Sequence, residues 1–281
     1  MRTGDMPSGE HTAAEAAPPK MVATSVTGTD APGWLVTEEA RAIARGGVFF
    51  YPCAGADTEE ALAAFAPDIA TFWFCDPTYR ADRVGAITGC ERTGPVTVRG
   101  EPNASMVTRE IEGRTHRWIA PCVWTALLSH PSTGAEVTVH WRRGFGEYAL
   151  AREFPDRSIS VFMHRGDSPG EGGSGSHFLD RRPKRHEPLA CLFDKLAAKL
   201  RDEALVISDG SNCGIRELRT FHNDMVIDAP RAFEASAGQL FERWGFQWRC
   251  VGFLGRKYGP TLLWKLTRLT VATPSRPNDV L

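Results

Sequence analysis

Four short apolar runs in this chain each open into a polar turn that carries an aspartate. VFFYPC (48–53) leads to Asp57, IATFWFC (69–75) to Asp76, SISVFMH (158–164) to Asp167, and ALVIS (204–208) to Asp209. A continuous apolar run of this length is the pattern of a strand covered on both faces. In open α/β sheets, ligands bind beyond the carboxyl ends of such strands, where the strand order reverses. The four aspartates are therefore expected side by side along one rim.

The first two runs are joined by the turn AGAD and by TEEALAAFAP. The latter reads as a helix, with Thr58 as its cap, Glu59 and Glu60 in its first turn and Pro67 at its end. Strand, turn, helix and strand make one βαβ unit with parallel strands and a right-handed crossover. Gly55 lets the backbone approach a ligand, and the helix start behind it offers free N–H groups. Asp76 follows about twenty residues on, where nucleoside binders place an acid on ribose hydroxyls. The bland alternative is a tight turn in which Asp57 caps the helix and Asp76 starts a turn with Pro77.

The third run opens into RGDSPGEGGSGSHFL, which holds five glycines with Asp167 and Glu171, and no lysine of the P-loop kind. Acids repel a phosphate unless a divalent cation or the neighbouring Arg165 compensates. A cationic or neutral polar ligand fits better: Asp167 can accept from an amine, and Glu171 or His177 can move a proton. The alternative is a lid with solvated acids, at a functional edge in either case. Asp209, in SDGSN, repeats the strand-then-acid pattern and gains weight from lying in the same layer.

Elsewhere, residues 1–33 are rich in Ala, Pro, Gly, Thr and Ser and are expected to be disordered. GWLVTEEARAIARGG reads as an opening helix capped by Thr37 and stopped at Gly46-Gly47. Residues 80–150 read as strands with one helix, a candidate substrate-recognition insertion. HEPLACLFDKLAAKLRDE reads as a long amphipathic helix with Leu189, Leu192, Phe193, Leu196 and Leu200 on one face. A further helix is expected over about 230–244, stopped at Gly245. FQWRCVGFL and TLLWKLTRL then form an antiparallel hairpin. A single domain over 34–270 and a tail over 271–281 follow.

Bulk properties narrow the classes. The chain has 281 residues, a net charge of -1 and seven cysteines without a CxxC pair. No global basic field draws nucleic acid or an anionic membrane, although the basic run RRPKRH keeps a local contact open. That run, Arg256 and Lys257 of GRKYGP, and Arg142 and Arg143 of WRRGFGEYAL would make a basic rim if the three stretches converged. The cysteines read as reduced, mostly buried thiols of a cytoplasmic protein. No signal-peptide core or membrane-length apolar window is present. The histidines lack HxH or HExxH spacing, so no metal site is assigned.

The order of elements resembles the class I S-adenosylmethionine-dependent methyltransferases. FFYPCAGAD, FWFCDP, SVFMHRGDSPGEGG, ALVISDGSN and the closing hairpin fill the places of that family's first, second, fourth and fifth strands and its final antiparallel pair. The resemblance spans about 48–268. It implies an α/β fold, a three-layer, Rossmann-like, mostly parallel sheet with a C-terminal antiparallel hairpin. It also implies that Cys53, Gly55, Asp57 and Asp76 hold S-adenosylmethionine. The substrate pocket would be lined by Asp167, Glu171, His177 and Asp209. The family's first motif carries two or three glycines, where this chain has Cys53, Gly55 and Asp57.

Three functions stay in view. The first is methyl transfer to a small or polar acceptor. The second is a non-catalytic module that binds a nucleotide or a partner protein. The third is an enzyme using a divalent metal on Asp167, Glu171 and Asp209.

Overall fold

The computed structural model describes residues 34–81, 91–103, 106–111, 114–129, 134–165, 191–210, 229–254 and 261–270. In chain order the elements are β1 (Leu35–Val36), α1 (Glu38–Ala44), β2 (Gly47–Pro52), α2 (Glu59–Phe65), β3 (Ile69–Asp76), β4 (Glu91–Arg92), β5 (Thr97–Gly100), β6 (Met106–Ile111), β7 (Arg114–Ile119), β8 (Cys122–Ser129), β9 (Glu136–Arg143), α3 (Gly146–Glu153), β10 (Ile159–His164), α4 (Leu192–Leu196), β11 (Leu200–Ser208), α5 (Ala229–Ser236), β12 (Leu240–Arg243), β13 (Phe246–Leu254) and β14 (Thr261–Arg268).

Among the described residues, twelve strands form one sheet, ordered β1-β13-β14-β11-β10-β2-β3-β9-β8-β4, with β12 on β13 and β5 on β8, and β6 and β7 pair only with each other. Strands β9, β3, β2, β10 and β11 are mutually parallel. The first βαβ unit is therefore as expected, with Phe49 opposite Phe72 and Phe50 opposite Trp73. The C-terminal hairpin also forms: β13 and β14 are antiparallel, and β14 enters the sheet antiparallel to β11.

The expected mostly parallel, three-layer Rossmann-like sheet is overturned. Four pairings in the large sheet are parallel, and seven are antiparallel. Both flanks run antiparallel: β8, β4 and β5 beyond β9, and β14, β13, β12 and β1 beyond β11. The physical reason lies in connection lengths. Only residues 130–135 separate β8 from β9, and only 255–260 separate β13 from β14. A parallel crossover needs a dozen or more residues, so these neighbours must turn back on each other.

The helices are short, and each packs an alternate set of strand side chains. Phe49, Phe72, Phe74 and Met163 meet Ala40 and Ala44 of α1 and Leu62 and Phe65 of α2. Phe50, Phe162 and Val206 meet Leu150 of α3, Leu192 and Phe193 of α4 and Ala232 of α5. Burying aromatic side chains on both faces is what makes the central strands continuous apolar runs. Trp124, Trp248 and Trp264 are all fully buried.

Thr37 caps α1, its hydroxyl accepting from the Ala40 amide at 3.3 Å. Thr58 precedes α2 but makes no such bond; its backbone is already helical at φ -105° and ψ -22°. The long helix expected over HEPLACLFDKLAAKLRDE is also overturned. Among its described residues, from 191 on, only Leu192–Leu196 is helical, and Leu200 already pairs with Ile159 as β11 begins. Likewise α5 stops at Ser236, and Leu240–Arg243 folds back on β13. The connecting residues Trp244 and Gly245 both have positive φ, 50° and 76°. That is the turn geometry matching the strand twist of a two-residue hairpin.

Among the described residues, the cysteines are free thiols, four of them buried. No described helix is long and apolar enough to cross a membrane.

Candidate functional site

From β2 the chain order runs outward to β3 and then to β9, whereas from β10 it runs the other way to β11. The strand order therefore reverses between β2 and β10, and the carboxyl ends of these two strands border the place where open sheets bind ligands. Backbone and thiol contacts knit this rim together. The Cys53 thiol, just past β2, donates to the Arg165 carbonyl just past β10 at 3.6 Å. The Ala54 amide donates to the Cys75 carbonyl at 3.2 Å, and the Gly144 amide to the Asp76 carbonyl at 3.2 Å.

The turn after β2 is unusual in its backbone. Cys53 has φ 64° and Gly55 has φ 51°. Glycine takes such a conformation freely, but a side chain there is strained, and outliers of this kind gather at functional sites. Among the described residues, a Cβ placed on Gly55 would touch only Asp76 Oδ2, at 3.8 Å, so the glycine faces the carboxylate that ends β3.

Asp76 ends β3 and is 8% exposed. Its Oδ2 accepts from the Gly55 amide at 3.1 Å. Its Oδ1 accepts from the amide of Thr78 at 2.7 Å and from the Thr78 hydroxyl at 2.5 Å. The aspartate thus starts a turn, as the bland alternative has it, and also clamps the glycine turn. Each carboxylate oxygen can accept two hydrogen bonds. Oδ1 is saturated, and Oδ2 keeps one acceptor direction.

Asp57 is engaged differently. Its Oδ2 accepts from the Tyr51 hydroxyl at 3.2 Å and from Arg165 Nη1 at 3.2 Å. Arg165 Nη1 also lies 2.5 Å from Glu60 Oε2, and its Nε donates to the Thr261 hydroxyl at 3.0 Å. The Arg165 side chain is 2% exposed. Burial opposes its charge, yet Glu60 and Asp57 together raise its pKa. Asp57 therefore closes a buried ion pair across the crevice.

Asp209 follows β11 and is buried. The Cys53 thiol is pushed well above its usual pKa by burial first, then by the charges of Asp76, Cys75 and Asp209. Cys53, Gly55, Asp57, Asp76 and Asp209 therefore lie at one rim. Asp167, Glu171 and His177 lie outside the described residues, and so do two of the three ligands of the metal reading. Among the described residues, no group of three His, Cys, Asp or Glu side chains is placed to hold a metal ion.

Among the described residues, Arg142 and Arg143 are not free to contribute to a basic rim. Arg142 is buried against Glu153 at 3.2 Å. Arg143 turns inward, its Nε donating to the Ala120 carbonyl at 2.7 Å and its Nη atoms to the carbonyls of Glu101 and Pro102. Arg256 and Lys257 lie outside the described residues.

Sequence reasoning missed Tyr79. It lies within DPTY, three residues past Asp76, and its amide donates to the Asp76 carbonyl at 3.4 Å. Its side chain is buried, and its hydroxyl has no hydrogen-bond partner among the described residues. The available signal was the Asp76-Pro-Thr78 turn, which folds the next side chain back over the strand end. Comparisons with protein-family models, with curated proteins and with solved structures find no match for this chain.

Proposed function

We propose that the rim between β2, β3 and β10 binds the adenosyl part of S-adenosylmethionine, and that the protein transfers its methyl group to a small or polar acceptor. One contact carries this reading: the carboxylate ending β3 meets the glycine turn ending β2, Asp76 Oδ2 to the Gly55 amide at 3.1 Å, with one acceptor direction left over. Such a carboxylate, beside a turn that tolerates close approach, suits the hydroxyls of a ribose. The strand β14, antiparallel between β11 and β13, supports the same family resemblance.

The chemistry needs positioning more than covalent help. The acceptor's lone pair forms a bond to the methyl carbon as the carbon–sulfur bond breaks, the sulfonium leaves as a neutral thioether, and the acceptor sheds a proton. Asp167, Glu171, His177 and Asp209 are the acceptor-side residues of this proposal, with Glu171 or His177 as the base.

The test is a melting and calorimetry series with S-adenosylmethionine, its demethylated product, ATP and NAD. A ligand that binds only the native state raises its melting temperature. Stabilisation by the first two, lost in Asp76→Ala at an unchanged fold, is the expected outcome. No response to either, or undiminished binding by Asp76→Ala, overturns the reading.

One observation favours a non-catalytic binding module instead. Cys53 places a side chain at φ 64°, and Arg165 already occupies Asp57 and Glu60, so part of the crevice is closed by the chain itself. Binding of the methylated and demethylated cofactors with equal affinity, and without turnover on any acceptor panel, would favour that reading.

A further inference from the structure

Asp76 and Thr78 act as one unit. The Thr78 amide and the Thr78 hydroxyl both donate to Asp76 Oδ1, at 2.7 Å and 2.5 Å. A carboxylate that accepts from the amide two residues on closes a tight turn, and Pro77 between them has its φ fixed by its ring. The other oxygen, Oδ2, accepts from the Gly55 amide at 3.1 Å, reaching from β3 to the turn after β2. Donors from two separate segments therefore hold the carboxylate at both oxygens, and it cannot rotate without breaking them. Each oxygen offers two acceptor directions. Among the described residues, both directions of Oδ1 are filled and one direction of Oδ2 is left. Asp76 is buried, whereas Thr78 is exposed. An exposed hydroxyl is satisfied by water if it has no protein partner, so its bond to Oδ1 adds little to folding stability. Its effect falls instead on where Asp76 points and on how many acceptor directions Asp76 has to offer.

We propose that Thr78 is the positioning residue of this carboxylate: by filling Oδ1 it restricts Asp76 to one ligand hydroxyl, taken on Oδ2, in place of a two-oxygen clamp on a vicinal diol. This rests on the nucleoside reading above and sets its specificity: Asp76 reads one of the two ribose hydroxyls and is indifferent to the other. A carboxylate with both oxygens vacant accepts a diol on both at once, whereas this one has room for a single donor. Holding it in place before the ligand arrives also removes an ordering cost from binding. A ligand that lacks the hydroxyl being read leaves a buried acceptor unpaired, which is where polar sites discriminate most strongly.

The test is calorimetry on the wild type, Thr78→Val, Thr78→Ser and Asp76→Ala. The probes are S-adenosylhomocysteine, adenosine, 2′-deoxyadenosine and 3′-deoxyadenosine. Valine keeps the branched shape without the hydroxyl, and serine keeps the hydroxyl. The wild type should bind one deoxy probe about tenfold more weakly than adenosine, a difference that Asp76→Ala erases. Any discrimination against the other deoxy probe should survive in Asp76→Ala. Thr78→Val should lose about threefold to tenfold in affinity for adenosine and S-adenosylhomocysteine, and Thr78→Ser should restore it. Without ligand, the wild type and both Thr78 variants should melt within about two degrees of one another, as for surface substitutions. If both deoxy probes bind weakly and Asp76→Ala erases both differences, the carboxylate clamps the diol with two oxygens and the proposal is wrong. If Thr78→Val binds as the wild type does, or Thr78→Ser fails to restore binding, the hydroxyl positions nothing. If Thr78→Val melts several degrees lower, its hydroxyl supports the turn and not the orientation of Asp76, and the proposal is again wrong. In each of these cases S-adenosylhomocysteine still binds and weakens in Asp76→Ala, so the nucleoside reading stands. If the wild type binds none of the probes, or Asp76→Ala binds them all undiminished, that reading falls and takes this one with it.

Discussion

Arg165 and Asp57 are joined by an ion pair of 3.2 Å that ties the end of β10 to the turn after β2. The same guanidinium holds Glu60, and its side chain is almost fully buried. Removing one partner of a buried pair strands the other charges, which is costlier than never having had the pair. Arg165→Met is therefore expected to lower stability by about 3–5 kcal/mol. Arg165→Lys should recover only part of this, since one ammonium cannot reproduce the fork that reaches Asp57, Glu60 and Thr261. Urea unfolding of both variants decides the matter. A loss below about 1 kcal/mol for Arg165→Met, the range of exposed pairs, would show that the crevice does not depend on this contact.

Gly252, in β13, carries a different constraint. β1 pairs with β13 so closely there that a Cβ would run into the Leu35 carbonyl, a backbone atom that cannot rotate aside. Gly252→Ala should cost about 1–3 kcal/mol by overpacking, and it should do so by prising β1 from the sheet. Hydrogen exchange locates the damage: amide protection should fall at Leu35 and Val36 and stay intact in β2 and β10. Uniform loss across the sheet would contradict this.

How far the sequence revealed these features depends on how local their causes are. The unit from β2 to β3 was legible because apolar runs, two glutamates and Pro67 all act within a few residues. The Thr37 cap was legible for the same reason, and so was the hairpin of β13 and β14. The direction of the flanking strands was not. RTHRWIAPCVWTALLS mixes two periods because it contains two strands, β7 and β8, parted at Ala120-Pro121. Leu196 and Leu200 keep helical spacing, but Leu200 is buried by pairing with Ile159, which no local pattern reports. At the site, Asp57 looked available as a helix-start carboxylate. Its partner Arg165 is 108 residues away, so only the fold could show that it is occupied. Asp76 was found by its spacing from the glycine turn, and Tyr79 was passed over because a tyrosine in a turn looks ordinary until its hydroxyl proves to have no partner among the described residues.

Cys53 offers a test of whether the turn after β2 is held under strain. At φ 64° a side chain meets its own backbone, and a β-branched one does so most severely. Cys53→Val should lower stability by about 1–2 kcal/mol, and Cys53→Gly should be no less stable than the wild type. If instead Cys53→Gly loses more than Cys53→Val, the thiol contact to the Arg165 carbonyl outweighs the strain, and the turn is held by the side chain. Thermal melts of the pair, run without ligand, separate the two cases.

His164 gives the fold a dependence on pH whose sign can be fixed in advance. It ends β10 inside the sheet, and burial pushes its imidazole pKa from 6.5 down to about 4. The folded protein therefore keeps it neutral at a pH where the unfolded chain takes up a proton. Stability that is complete above about pH 6.5 is lost as the pH falls toward 4, because the unfolded state binds more protons across that window. A depression of this size corresponds to roughly 3 kcal/mol. His140 is also pushed to about 4, by burial first and then by the charge of Arg99, so it titrates in the same window. Urea midpoints measured from pH 7.5 down to 4.5 should fall steadily for the wild type. They should fall less steeply for His164→Asn relative to its own value at pH 7.5, and least for the variant lacking both histidines. Parallel slopes for the wild type and His164→Asn would mean that the buried imidazole does not govern acid stability, and that carboxylates such as Glu39, whose pKa is lowered by Arg249 and Lys265 against the opposing effect of burial, account for the slope instead.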